Sequence, residues 1–171
     1  MNATIKNIFV GDYLNGVKLF SSTNVRVENA FLRDNSRAID LESSSNNVIV
    51  RNIVQQSNPI NTRQGIFFND SHNNVVVGNS VIDSRRAYGF IDASDNGFAD
   101  NTATNNFNAI FVVNGRGVIE RNNFIDNDTD VDLTNADNFI FYDDTNQRGN
   151  YWSKFDEVIE MEKAIDEAIF Y

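Results

Sequence analysis

An asparagine followed five residues later by a second asparagine recurs along this chain at nearly constant spacing. The copies are Asn2/Asn7, Asn24/Asn29, Asn47/Asn52, Asn74/Asn79 and Asn96/Asn101, then the degenerate Gly117/Asn122 and Asn138/Asp143. Their starts lie 22, 23, 27, 22, 21 and 21 residues apart, the length of one solenoid coil rather than of a helical hairpin or a propeller blade. Two residues past the second asparagine stands an apolar residue, Phe9, Phe31, Val54, Val81, Ala103 or Phe124, which reads as a stacked core column. Later in each unit comes a small residue, an apolar one, any residue and another apolar one. Gly16-Val17-Lys18-Leu19, Ala38-Ile39-Asp40-Leu41, Gly65-Ile66-Phe67-Phe68, Ala87-Tyr88-Gly89-Phe90 and Ala109-Ile110-Phe111-Val112 fill that slot. Asp130-Val131-Asp132-Leu133 fills it less well.

Alternation of period two signals short strands with one buried face, and polar clusters such as Ser43 to Asn47 and Asp70 to Asn74 between them carry turn chemistry. A unit this small buries its apolar side only by stacking on its neighbours, strand over strand at about 4.8 Å. The expected fold is therefore all-β, a parallel β-helix of about six to seven coils. The 28 asparagines in 171 residues find a use there, because one amide per coil can bond to the next as a ladder. The candidate ladder is Asn7, Asn29, Asn52, Asn79, Asn101 and Asn122. The facing of the first strand in each coil stays open, since Val25, Val27, Val48 and Val50 favour one parity and Phe98, Ile119 and Ile140 are less regular.

After Asn150-Tyr151-Trp152 the apolar period changes to 3.6. Ser153 with Asp156 resembles a capping box, and Phe155, Val158, Ile159, Ile165 and Ile169 form one stripe. This predicts a β-helix over 1–152 and a capping α-helix over 153–171 that covers a sticky strand edge. The chain opens inside the repeat, so the reading includes a longer parent protein whose remainder precedes residue 1.

Acidic residues number 24 against 14 Lys and Arg, a formal charge of −10, which disfavours nucleic acid and anionic membrane as partners. No apolar run reaches the length of about 18 residues that a membrane helix needs, and no charged-then-apolar leader follows Met1. With no Cys and a single His, His72, thiol chemistry and multi-histidine metal centres are excluded.

The coil pattern, with the doublets Asn46-Asn47 and Asn73-Asn74 each leading into a Val-rich strand, resembles right-handed parallel β-helix proteins of the pectin-lyase-like superfamily. The likeness is greatest to the short repeats described as carbohydrate-binding and sugar-hydrolase domains, and covers about residues 2–152. Gly149-Asn150-Tyr151-Trp152-Ser153 and the acidic helix after it look like the terminal motif of surface proteins in that group. The resemblance implies a secreted, cell-surface or periplasmic protein, and that such a face in polyuronate lyases and epimerases combines Arg or Lys with Asp. It fixes no activity, since one fold hosts many chemistries.

Three clusters are candidate sites. The outward position of the second-column strand runs Lys18, Asp40, Phe67, Gly89, Phe111, Asp132. Phe67 and Phe111 there flank a glycine and could stack on sugars, anchor a protein, or lie under a neighbouring segment. The third coil is longer by Asn58-Pro59-Ile60-Asn61-Thr62-Arg63 and holds the sole proline, and loops inserted in solenoids commonly carry the binding face. Arg63 falls near Arg37 one coil before and Arg85 and Arg86 one coil after, a set able to grip carboxylates bidentately. The plainer reading pairs these arginines with Asp34 and Asp83 as surface salt bridges. Finally, Asp126, Asp128 and Asp130 supply oxygen ligands in a density that suits Ca²⁺, although the segment lacks the Gly and Glu of an EF-hand and also reads as a solvated turn. Asp70-Ser71-His72 does not make a triad by adjacency, and Asp92, Asp95 and Asp100 are not singled out as a glycosidase pair.

The function expected is a non-catalytic extracellular or cell-surface module presenting a binding face to polysaccharide or a neighbouring surface protein. The alternative is an acidic-polysaccharide lyase, hydrolase or epimerase working on the Arg37/Arg63/Arg85/Arg86 face.

Overall fold

The computed structural model describes residues 2–57, 63–136, 139–143 and 148–154. Three parallel sheets run the length of the molecule. Sheet A stacks Ala3–Lys6, Val25–Glu28, Val48–Val50, Val75–Val77, Ser94–Ala99, Arg116–Glu120 and Phe139–Ile140. Sheet B stacks Phe9–Gly11, Phe31–Arg33, Ile53–Gln55, Ser80–Ile82, Thr102–Thr104, Asn123–Ile125 and Tyr151–Trp152. Sheet C stacks Asn15–Phe20, Arg37–Glu42, Gln64–Asn69, Arg86–Ile91, Asn108–Val113 and Thr129–Thr134. Each coil visits A, B and C in turn, which makes six full coils of a parallel β-solenoid. Among the described residues no helix forms. The expected capping helix lies almost wholly outside them.

Four inward columns fill the interior. Sheet A contributes Ile5, Val27, Ile49, Val76, Phe98 and Ile119, which settles the facing of the first strand. Sheet C contributes two, Val17-Ile39-Ile66-Tyr88-Ile110-Val131 and Leu19-Leu41-Phe68-Phe90-Val112-Leu133. Stacked aromatics follow directly from this register: the Phe68 and Phe90 rings lie 5.0 Å apart and nearly parallel. Sheet B contributes Val10-Leu32-Val54-Val81-Ala103-Phe124-Trp152. That column corrects the expectation at its first two members. Phe9 and Phe31 sit one residue off it, outside the barrel, and Phe9 is 66 % exposed.

The same offset corrects the ladder. The chain turns its bends on residues with positive φ, two of them at the C-to-A bends of the first four coils, and sixteen of the twenty such non-glycine residues are Asn or Asp, the types that tolerate the left-handed region best. Asn7 and Asn29 are corner residues of this kind, in the row of Arg51, Asp100 and Arg121. The residue after the corner turns its side chain inward, and there the ladder runs Asn52-Asn79-Asn101-Asn122-Asn150. Asn79 shows the bonding. Its Oδ1 accepts from the Asn52 backbone N–H and side-chain Nδ2 at 3.0 and 2.9 Å. Its own Nδ2 donates to Ile49 O and Asn101 Oδ1, both at 2.9 Å. Both amide hydrogens and both lone pairs are used. Two further rows, Asn47-Asn74-Asn96 and Asn106-Asn127, repeat the arrangement at the other bends. In coil 2 the ladder positions are Val25 and Ala30, whose N–H groups donate to Asn47 and Asn52.

The two asparagine roles separate by mutation. Asn79→Ala strands the Asn52 donors in a dry interior and is expected to cost about 3 kcal/mol. Asn29→Gly should be close to neutral and Asn29→Ala should cost about 1 kcal/mol, because only backbone strain is at stake. Urea unfolding of the three variants checks this, and equal losses at Asn29 and Asn79 would overturn the assignment.

Candidate functional site

Sheet C has the longest strands, so its outer face is the broadest regular surface of the molecule. Register fixes its composition in rows. One row reads Asn15, Arg37, Gln64, Arg86, Asn108, Thr129, and the next Lys18, Asp40, Phe67, Gly89, Phe111, Asp132. The sequence-derived candidates Arg37, Arg86, Phe67 and Phe111 therefore do share one face, in two diagonal pairs two coils apart. The Arg37 guanidinium lies 4.9 Å from the Phe67 ring centre, and that of Arg86 lies 3.6 Å from Phe111, both within cation–π range.

The aromatic rings are less available than an outward position suggests. Phe67 is only 3 % exposed, because its ring lies flat over Gly89 and fills the gap between the two phenylalanines. A Cβ on Gly89 would sit 2.2 Å from the Phe67 ring. The guanidinium groups cover the rest, so the face presents cationic edges above aromatic beds.

The charges are unevenly paired. Asp40, 1 % exposed, accepts from Arg37 at 3.0 Å and lies 3.8 Å from Lys18, whose Nζ also meets Glu42 at 2.7 Å. The bond to Glu42 holds the Lys18 ammonium above its ordinary pKa against a smaller opposing effect of burial. Arg86 differs. Its Nε is buried without a hydrogen-bond partner among the described residues. Burial, then the charge of Arg85, lowers its guanidinium pKa, and Asp132 opposes them.

The inserted segment leaves the stack after Gln56 and rejoins it at Arg63, with residues 58–62 outside those described. Asp34 braces both flanks. It accepts from the Ser57 backbone N–H and hydroxyl, each at 2.7 Å, and from the Arg63 guanidinium. Arg63 is thus spent on Asp34, as the plainer reading held, whereas Asp83 accepts from Asn105 instead of from an arginine. Arg85 is exposed, and its backbone N–H donates to Arg63 O at 3.0 Å. Sequence reasoning missed the remaining feature of this region. Gln56 Oε1, Gln64 Oε1, Ser84 Oγ and Arg86 Nε, all buried and unbonded among the described residues, gather where the longer coil departs and returns. The break in the B-to-C corner row at Gln56, flanked by Asp34 and Asp83, was its sequence signal.

The other candidates have ordinary partners. Asp126 accepts from Ser153 and Asp130 from Asn127 Nδ2 at 3.1 Å; burial raises the Asp130 carboxyl. Asp126 is itself a corner residue with φ 52. The three aspartates expected to hold Ca²⁺ form no metal-binding group, and among the described residues no three His, Cys, Asp or Glu side chains gather as one. Asp95 and Asp100 face Arg116 and Arg121 across successive coils. His72 Nδ1 meets Ser94 Oγ at 2.9 Å and accepts the Ser94 backbone N–H at 3.2 Å, while Nε2 faces Asp70 at 3.3 Å. Ser71 Oγ bonds to Asn69 O, away from that ring, so the tripeptide assembles no nucleophile and base.

A family model described as Periplasmic copper-binding protein (NosD) matches residues 1–157. No curated protein and no solved structure matches the chain.

Two outcomes follow from the geometry. Gly89→Ala must push the Phe67 ring off its bed and is expected to cost about 1 to 3 kcal/mol, read as a shifted urea midpoint with raised exposure of Phe67; an unchanged midpoint would contradict the packing. At Asp34, burial alone would raise the carboxyl, but Ser57, Arg33 and Arg63 bring it below its usual value of 3.8. A depressed folded pKa means the brace is intact above the ordinary carboxylate pKa and is lost as pH falls through the lower folded value. Amide protection at Ser57 should drop in that acid range in the wild type. It should be low at all pH values in Asp34→Ala, and persistence of protection there would refute the brace.

Proposed function

Because the chain belongs to the NosD family, a family of right-handed parallel β-helix proteins described as periplasmic and copper-binding, we propose that it works outside the cytoplasm as a non-catalytic module whose sheet C face holds a polysaccharide. The observation that carries this reading is the face itself: Arg37 over Phe67 and Arg86 over Phe111 recur two coils apart, about 9.6 Å or twice the strand spacing, alternating along the row with the amides of Asn15, Gln64 and Asn108, a periodic face such as a polymer with its own repeat requires. Carboxylates near the face are paired with cations or amides. Ser94 Oγ does meet His72 Nδ1, with Asp70 on Nε2, but at the bend into a sheet A strand and off this face. On the face itself, among the described residues, no hydroxyl is paired with an imidazole, which favours holding over cleavage there.

Copper fits this chain poorly. Copper sites draw on thiolate, thioether and imidazole donors, and the chain has no Cys, one His and two Met, Met1 and Met161, both outside the described residues. His72 already has Ser94 and Asp70 on its two ring nitrogens. The residues present do not fit a copper centre.

The test is retention on a panel of immobilised neutral and uronate polysaccharides, with and without calcium. Retention by at least one, weakened in Arg86→Ala, is the expected result. Retention by none overturns the polysaccharide reading and leaves a neighbouring surface protein as the partner to seek.

A further inference from the structure

At the end of the sheet C face formed by the first three coils lies a cavity of about 440 Å³, lined by Leu14, Asn15, Lys18, Ser36, Arg37, Asp40 and Gln64. Its volume falls in the range of small-molecule sites, about 300 to 1,000 Å³. Resting on the polysaccharide reading above, we infer that this pocket takes a neutral, hydroxyl-rich sugar unit, so that the face selects neutral glycans over polyuronates.

Three observations lead there. The first is charge. Lys18 and Arg37 line the pocket, but both already face Asp40, and Lys18 also holds Glu42. Two cations and two carboxylates cancel, and an incoming carboxylate would have to approach Asp40, a buried charge whose repulsion a low-dielectric surrounding strengthens. The second is an unpaired acceptor. Gln64 Oε1 is buried and bonded to nothing among the described residues, and a buried acceptor of this kind gains from any donor that reaches it. An ionised carboxylate has no hydrogen to give, whereas a sugar hydroxyl donates and accepts at once. The third is a fixed wall: Arg37, which lines the pocket, is clamped between Asp40 and the Phe67 ring.

The pairing makes a specific demand on variants. Gln64→Leu removes the free acceptor while keeping the strand and its apolar surroundings. Asp40→Asn removes the charge that balances Lys18 and Arg37, leaving the pocket net positive. Affinity electrophoresis of the wild type in neutral mannan, β-glucan and galactan gels and in polygalacturonate and alginate gels reads the preference directly, with urea midpoints confirming that each variant is folded. The expected result is at least tenfold stronger retardation by one neutral glycan than by either polyuronate. It should be reduced tenfold in Gln64→Leu and tilted toward polyuronate in Asp40→Asn. Stronger retardation by polyuronate in the wild type overturns the neutral-sugar inference while leaving polysaccharide binding standing. Neutral binding unchanged in folded Gln64→Leu overturns the placement in this pocket. Retardation by no glycan at all overturns the underlying reading as well. Should Asp40→Asn fail to fold, Gln64→Leu alone decides the placement.

Discussion

The structure depends on the side-chain amide that each coil passes to the next. A buried amide left unbonded costs on the order of kilocalories, yet Asn52, Asn79, Asn101 and Asn122 are almost completely buried. They are tolerable because each lends its oxygen to the preceding coil's N–H, and from Asn79 onward to the preceding amide as well, and gives its own hydrogens to a carbonyl and to the following asparagine. That geometry works only when adjacent coils are in register, so the ladder fixes the stacking that the non-directional apolar columns leave loose. Corners, columns and outer rows all inherit their alignment from it.

Register is also what turns a repeat into a surface. Because coil follows coil without slip, Arg37, Gln64 and Arg86 fall in one row and Asp40, Phe67, Gly89 and Phe111 in the next. A single insertion in the third coil perturbs this regularity without breaking the sheets. The chain leaves and returns between Ser57 and Arg63, both held by Asp34, and the local cost is four buried polar atoms with no partner among the described residues. Regular solenoid elsewhere and unsatisfied polarity at the insertion are the pattern expected where a scaffold gives up local stability for a binding surface.

Much of the fold was legible because the coil period and the two-residue alternation are strong signals. Val17, Ile39, Ile66, Tyr88 and Ile110 stood out as a column and are one. The ladder was misread at Asn7 and Asn29, and Phe9 and Phe31 were misplaced with them, for one reason. Asparagine serves both the left-handed corner and the inward position after it, and at the bends before and after sheet A these lie in the same order. An Asn-to-Asn spacing of five therefore fits corner to corner and ladder to ladder alike. Nothing local distinguishes Asn24/Asn29 from Asn47/Asn52, and only pairing of Arg26 with Val48 shows that the first pair is a residue out of step.

Of the candidate site, the face and its arginines followed from the repeat, since residues at equal positions in successive coils must be neighbours. What those side chains do to one another did not follow. Whether Phe67 stands free or lies over Gly89 and whether Arg63 reaches outward or returns to Asp34 depend on contacts between rotamers of different coils, and whether Arg37 meets a ligand or Asp40 depends on rotamers three residues apart in one strand. The sequence by itself determined a parallel β-solenoid and which residues share its surfaces, because periodicity is a property of the chain. The tertiary structure alone decided the one-residue phase of the early coils, which cations are already neutralised and which buried acceptor is left open, because those depend on side-chain rotamers and on distances that mostly join residues some twenty or more positions apart.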